Sequence, residues 1–303
     1  MDFPISGIHV SPLFLIGIGF IIGILGGFFG VGGSFLAGPA LFSVGMPMNL
    51  VVGTDLCHIV GKSIVAAQKH RTLGNVDLKL GMLMVIGTIA GVEVGAQGIQ
   101  QLKRLGNVDT PVAIGFICIL VSISMFIAWE SWRTLKMTKK LHQPLKKKKD
   151  VSAFAGIAKW VHRFNLPPMI SLPTSGIERV SLWAILAVAF VGGVFSGFLG
   201  GGAGYIRMPS LVFLLGVPTH VAVGTDLFEI MISASYGTFT HALKGNVDVL
   251  VALVMHTGAA IGAQIGATLT EHFEGPRIRM AFIPLPLIGA GMVIYTLLTG
   301  HHF

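Results

Sequence analysis

Long apolar windows following one another along the chain limit its fold more than any other feature. The stretches 13–29, 80–96, 111–128, 182–199, 249–269 and 281–298 each approach the length of about 20 residues that crosses a hydrocarbon core as a helix. A soluble domain carries roughly a quarter charged residues, whereas this chain of 303 residues has 11%. A greasy soluble core does not require so many nearly uncharged windows in a row. The expected fold class is therefore all-α and polytopic, with the lipid bilayer as partner. The formal net charge of +8 would suit a nucleic acid, but its placement argues against one. The excess lies in a single connection between apolar blocks, around Arg133, Lys140, Lys146–Lys149, Lys159 and Arg163. That is how a cytoplasmic loop beside anionic lipid is built. Cys57 and Cys118 fall in apolar stretches and read as small hydrophobes. The first ten residues lack Lys and Arg, so the first apolar stretch reads as a span and not as a cleaved leader.

The chain also repeats itself. Gly27-Phe28-Phe29-Gly30-Val31-Gly32-Gly33 aligns with Gly197-Phe198-Leu199-Gly200-Gly201-Gly202-Ala203, and Pro39 with Pro209. Val52-Gly53-Thr54-Asp55-Leu56 aligns with Val223-Gly224-Thr225-Asp226-Leu227, and His70 with His241. Gly74-Asn75-Val76-Asp77 aligns with Gly245-Asn246-Val247-Asp248. Each unit reads as five segments: about 11–29, 34–45, 50–68, 79–99 and 111–132, then 180–199, 204–215, 220–241, 249–270 and 280–299. The domain reading is an N-terminal transmembrane repeat at 1–132, a basic cytoplasmic linker at 133–179, and a C-terminal transmembrane repeat at 180–303. Within the linker, 151–164 reads as an amphipathic surface helix or as a flexible tether. With the amino terminus outside, Lys103, Arg104 and Lys244 face outward and most other cations inward, as the positive-inside rule favours. An odd number of crossings per unit makes the repeats inverted, a common construction in secondary transporters.

A helix broken within a bilayer leaves peptide groups unpaired unless protein or a polar cavity surrounds them. The clusters Gly30, Gly32, Gly33, Ser34 and Gly200, Gly201, Gly202, Gly204 each precede a short helix. Two helix N-termini, meeting near the midplane, would make an anion site from backbone N–H groups. Arg207 reads as an added grip on an oxyanion or, alternatively, as a snorkelling cation. Gly87-Gly91-Gly95 and Gly258-Gly262-Gly266 read instead as close-packing faces. Asp55, His58 and Lys62 share one helix face, and Asp226, Glu229 and Ser233 hold the matching positions. Asp55 and Asp226 read as helix caps or, with Thr54 and Thr225, as part of a polar pathway. His58 and Glu229 are expected to be the coupling pair, since intramembrane ionisable groups mark pathways. Glu93 reads either as a pathway residue or as a hydrogen-bonded core group, and His256 as a satisfied core histidine. The Gly-Asn-Val-Asp turns read as structural caps. No metal or other cofactor is expected; His301-His302 has no third ligand nearby.

The paired glycine clusters with their downstream prolines, the Val-Gly-Thr-Asp stretches and the two Gly-Asn-Val-Asp turns resemble the TauE/SafE family of sulfite exporters. The resemblance spans nearly everything outside 133–179. It implies a carrier for sulfite, sulfonates or related sulfur-containing anions in the bacterial cytoplasmic membrane. Two rival readings keep the architecture: a passive anion channel, and a cation carrier using Asp55, Glu93, Asp226 and Glu229. A membrane enzyme is disfavoured, because no nucleophile–base set is apparent in the sequence.

Overall fold

The computed structural model describes residues 1–140 and 166–299, except for the side chains of Ser34 and 134–140. The expected surface helix at 151–164 and the pair His301-His302 lie outside the described residues.

The first repeat contains α1 (Pro12–Phe29), α2 (Ser34–Ser43), α3 (Met48–Thr72), α4 (Leu78–Arg104) and α5 (Asp109–Lys140). The second contains α6 (Leu182–Leu199), a short 3-10 turn at Gly201–Ala203, α7 (Gly204–Phe213), α8 (Thr219–Leu243), α9 (Val249–Thr270), α10 (Gly275–Phe282) and α11 (Pro284–Thr299). The segment expected as one helix at 280–299 is divided, because Pro284 and Pro286 supply no N–H to continue the preceding helix. Seven stretches among the described residues are long and apolar enough to cross a membrane. Polarity is distributed inside out. Ile86, Leu253, Ile261 and Phe239 are exposed, while Asp55, Lys62, Arg207, Asp226 and Glu229 are buried. Lipid, not water, is the solvent that suits such a surface.

Two helix pairs between repeats are set by glycine. Along α1, Gly19, Gly23 and Gly27 lie against the backbone carbonyls of Met255, Ala259 and Ala263 on α9. In return Gly258, Gly262 and Gly266 lie against the carbonyls of Ile16, Phe20 and Ile24. The α4–α6 pair repeats the arrangement, with Gly87, Gly91 and Gly95 against Leu186, Phe190 and Val194. A Cβ at any of these positions would overlap main chain, so the helices meet backbone to backbone.

Between these pairs, α3 and α8 run antiparallel. Gly53, near the start of α3, meets Asn246 just past the end of α8; Gly224, near the start of α8, meets Asn75 just past the end of α3. The turns are tied reciprocally. The Asp77 N–H donates to Thr225 Oγ1 at 2.9 Å, and the Asp248 N–H to Thr54 Oγ1 at 2.9 Å. His70 Nε2 donates to the Gly27 carbonyl and His241 Nε2 to that of Gly197, each at 3.0 Å. Asp77 accepts from Leu80 N, and Asp248 from Leu250 N and Val251 N, so these aspartates cap α4 and α9.

A feature with no counterpart in the sequence reading is a β-hairpin before each repeat. Asp2–Phe3 pairs with Ile8–His9, and Met169–Leu172 with Ile177–Ser181. The second lies partly inside the stretch read as linker. Each brings a serine to the opposite repeat's turn: Ser6 Oγ donates to Asp248 Oδ2 and Ser175 Oγ to Asp77 Oδ2, both at 2.7 Å. The signal was present in the recurring Pro-x-Ser-Gly-Ile at 4–8 and 173–177.

Replacing Gly262 by Leu forces a side chain into the Phe20 carbonyl and costs at least about 1–3 kcal/mol. Gly17, with nothing within 4 Å of its built Cβ, accepts Ala. Size-exclusion profiles in detergent should show loss of the monodisperse peak for Gly262→Leu and a wild-type profile for Gly17→Ala.

Candidate functional site

The two glycine breaks meet. Gly30, Gly32 and Gly33 adopt left-handed φ of 74°, 67° and 77°, and Gly200, Gly201 and Gly202 of 83°, 70° and 71°. Ala203, at the position matching Gly33, is also left-handed at φ 47°, an uncommon state for a residue with a Cβ. A Cβ on Gly32 would lie 3.2 Å from the Gly201 carbonyl oxygen. One on Gly204 would lie 2.5 Å from Val31 Cα and 2.7 Å from Asp226 Oδ2. The breaks are therefore in contact, and both are buried.

Charge collects around this contact. Arg207, on the second turn of α7, places Nε 2.8 Å from Asp226 Oδ1 and Nη2 2.7 Å from Glu229 Oε2, and all three side chains are fully buried. Planar guanidinium geometry lets one cation hold two carboxylates from successive turns of α8. Arg207 does not snorkel to an interface. Asp226 also sits at the N-terminus of α7, beside Gly204, where the dipole favours an anion. Arg207 Nη1 and the Tyr205 hydroxyl are buried without a hydrogen-bond partner.

The first repeat places its cation differently. Position 37, matching Arg207, is Ala, and the charge comes from Lys62 on α3, where the second repeat has Ser233. Lys62 Nζ lies 3.5 Å from His58 Nδ1, which in turn lies 3.6 Å from Asp55 Oδ1. Both Asp55 oxygens lack a hydrogen-bond partner, as does His58 Nε2.

The structure corrects several expectations. Asp55 and Asp226 cap no helix: α3 begins at Met48 and α8 at Thr219, so both carboxylates lie two turns inside. Thr54 and Thr225 each accept a hydrogen bond from the turn of the opposite repeat. His58 and Glu229, expected together, belong to separate clusters: His58 with Lys62 and Asp55, Glu229 with Arg207. Glu93 is a half-buried acceptor, bonded by Thr240 Oγ1 at 2.8 Å and Tyr236 OH at 3.2 Å, and paired with Lys244. His256 is no satisfied core residue, since its Nδ1 has no partner. Ser34 is the first residue of α2, and its side chain is outside the described ones. Tyr205 completes the neighbourhood and was passed over in the sequence, whereas Lys62 was placed there on the face of Asp55 and His58. For Tyr205 the available signal was a polar aromatic directly after the break.

Buried charge at paired helix breaks, inside a bundle with an apolar exterior and seven helical stretches able to cross a membrane, defines a multi-pass membrane protein. The family described as Sulfite exporter TauE/SafE matches residues 15–293, and the chain belongs to it. It is similar to the probable membrane transporter protein YunE of Bacillus subtilis, 26% identical over 94% of this chain and 98% of that protein. The probable membrane transporter protein YjnA of the same organism is 22% identical over 91% and 94%. A third, the B. subtilis probable membrane transporter protein YdhB, is 35% identical over 29% of this chain and 36% of its own length. No solved structure matches the chain.

Arg207→Gln strands two buried carboxylates and should destabilise the protein by about 3–5 kcal/mol. Combining it with Asp226→Asn and Glu229→Gln removes the uncompensated charge. Thermal unfolding in detergent should show a large drop for the single variant and substantial recovery for the triple.

Proposed function

We propose that this transporter carries a small oxyanion, sulfite or an organosulfonate, by alternating access around the two glycine breaks, with proton coupling at the buried acids. The observation that carries this reading is the guanidinium of Arg207 held by two carboxylates at the N-terminus of a short helix. Asp226 occupies the position an oxyanion would take: against α7's positive end and within the reach of Arg207. A substrate oxyanion competes for the same donors, helped by Nη1 and the Tyr205 hydroxyl, which have no protein partner.

The charge sum gives the coupling its logic. Lys62 and Arg207 face Asp55, Asp226 and Glu229, so the fully ionised centre carries one net negative charge with His58 neutral. An anion arriving alone would add to that charge in a medium that does not tolerate the excess. A proton arriving with it offsets one of the added charges. Protonation of Glu229 or Asp226 also releases part of the guanidinium fork to the substrate. The coupling role thus falls to Glu229 with Asp226 on one side and to His58 with Asp55 on the other.

Antiparallel α3 and α8, with their reciprocal ties, support the reading of the units as inverted repeats whose two arrangements open to opposite faces. The basic linker is proposed to be cytoplasmic, with the protein in the cytoplasmic membrane. Lys103, Arg104 and Lys244 are then on the outer face.

Counterflow of labelled sulfite in proteoliposomes tests the reading. Wild type should exchange sulfite, and Gly32→Leu or Gly201→Leu should reduce the rate at least tenfold. Position 32 has a left-handed backbone and Ile59 only 3.0 Å from a built Cβ; position 201 is left-handed too. Wild-type rates in both variants, with folding intact by size exclusion, would sink the proposed site.

A further inference from the structure

Among the ionisable groups near the centre, His256 belongs to neither glycine break nor to the repeat pattern. Its counterpart at the matching position of the first repeat is Val85. It sits on α9 and lies across α3 at Gly61, where a Cβ would overlap the imidazole ring. Residue 61 is thus Gly because the ring occupies the place of a side chain. Gly61 comes after His58 and directly before Lys62 on α3, so the ring is seated against the stretch of helix that carries both. Its Nδ1 is buried without a partner, yet the residue as a whole is only half-buried, whereas Lys62, His58 and Asp55 are entirely enclosed. Two elements pack against α9. α1, packed on the glycine face of α9, has no titratable residue; α3 contributes Asp55, His58 and Lys62.

These groups form a series running inward. His256 is outermost, then Lys62 and His58, whose Nδ1 lies 3.5 Å from Lys62 Nζ, then Asp55 at 3.6 Å from the same nitrogen. Resting on the reading of the centre as a proton-coupled anion site, we propose that His256 is the proton inlet of this transporter. It leads through Lys62 and His58 to Asp55 along the α3–α9 contact, apart from the anion's own route past Arg207. The Lys62 ammonium gives a proton through a neutral His58 ring to the Asp55 carboxylate and is reprotonated by the proton that the His256 ring has accepted. Each carrier returns to its starting form, so the net change is one proton gained by Asp55. His256 positions and relays; it does not touch the anion.

The test uses purified full-length protein in liposomes with a trapped pH-sensitive dye and sulfite as the probe at alkaline pH, with protein-free liposomes as background. Labelled sulfite exchange at equal pH on both sides reports the anion site, and dye response during net sulfite flux reports proton movement. His256→Gln, which keeps a polar side chain, should exchange within twofold of wild type and move protons at least tenfold more slowly. Gly61→Leu, which displaces the ring, should give the same split. Proton movement at the wild-type rate in His256→Gln overturns the proposal. So does equal loss of exchange and proton movement in both variants, because the route would then not be separate. Exchange without any proton movement in the unmutated protein overturns the inlet and leaves the anion site standing. Absence of exchange in the wild type removes the anion site and the inlet with it.

Discussion

Lipid offers no hydrogen bonds, so every peptide group at membrane depth must find its partner inside the protein. In this chain the requirement is most severe at the two breaks, where left-handed glycines interrupt the helix ladder. The breaks lie against each other, Gly32 beside Gly201 and Gly204 beside Val31, within a cage of helices that keeps lipid away. The cage is tight because glycine faces let α1 approach α9 and α4 approach α6 at the distance of backbone on backbone. The position of every charged group in the centre follows from that closure.

Closure also explains why the buried charges are arranged as they are. Arg207 is on a helix only ten residues long, directly after a break, and could not be tolerated there alone. Its two carboxylates come from α8, so the ion triad fixes the short helix to the long one. The first repeat solves the same problem with the cation moved from the short helix to α3, where Lys62 shares a face with His58 and Asp55. The pseudo-symmetry of the backbone is thus kept while the chemistry of its two halves differs. One half holds a rigid planar fork, the other an ammonium beside an imidazole.

A second set of interactions holds the ends. Each Gly-Asn-Val-Asp turn receives a threonine hydroxyl and a serine hydroxyl from the opposite repeat, and its aspartate caps the following helix. Neither repeat's turn is completed by its own residues. The short hairpins at 1–10 and 169–181 are consequently fastened to the other unit, as two identical clasps would be.

Much of this was legible in the residues, and the boundary is instructive. Apolar length fixed the membrane class, and ordered recurrence of Gly, Pro, Asn and Asp fixed the duplication. Spacing by four at Gly87-Gly91-Gly95 pointed to helix packing, because these signals are local and periodic. The hairpins escaped because two-residue strands have no periodicity, although Pro-x-Ser-Gly-Ile recurs before each unit. What tertiary structure alone decided is which charge meets which. Asp226 looked like a cap from its place after Gly-Thr, but its partner is Arg207, nineteen positions away on another helix. His256 looked like filler until α9 laid it across Gly61. A sequence states where charges lie along each helix; only the crossing of helices, set by where backbone can touch backbone, states what those charges face.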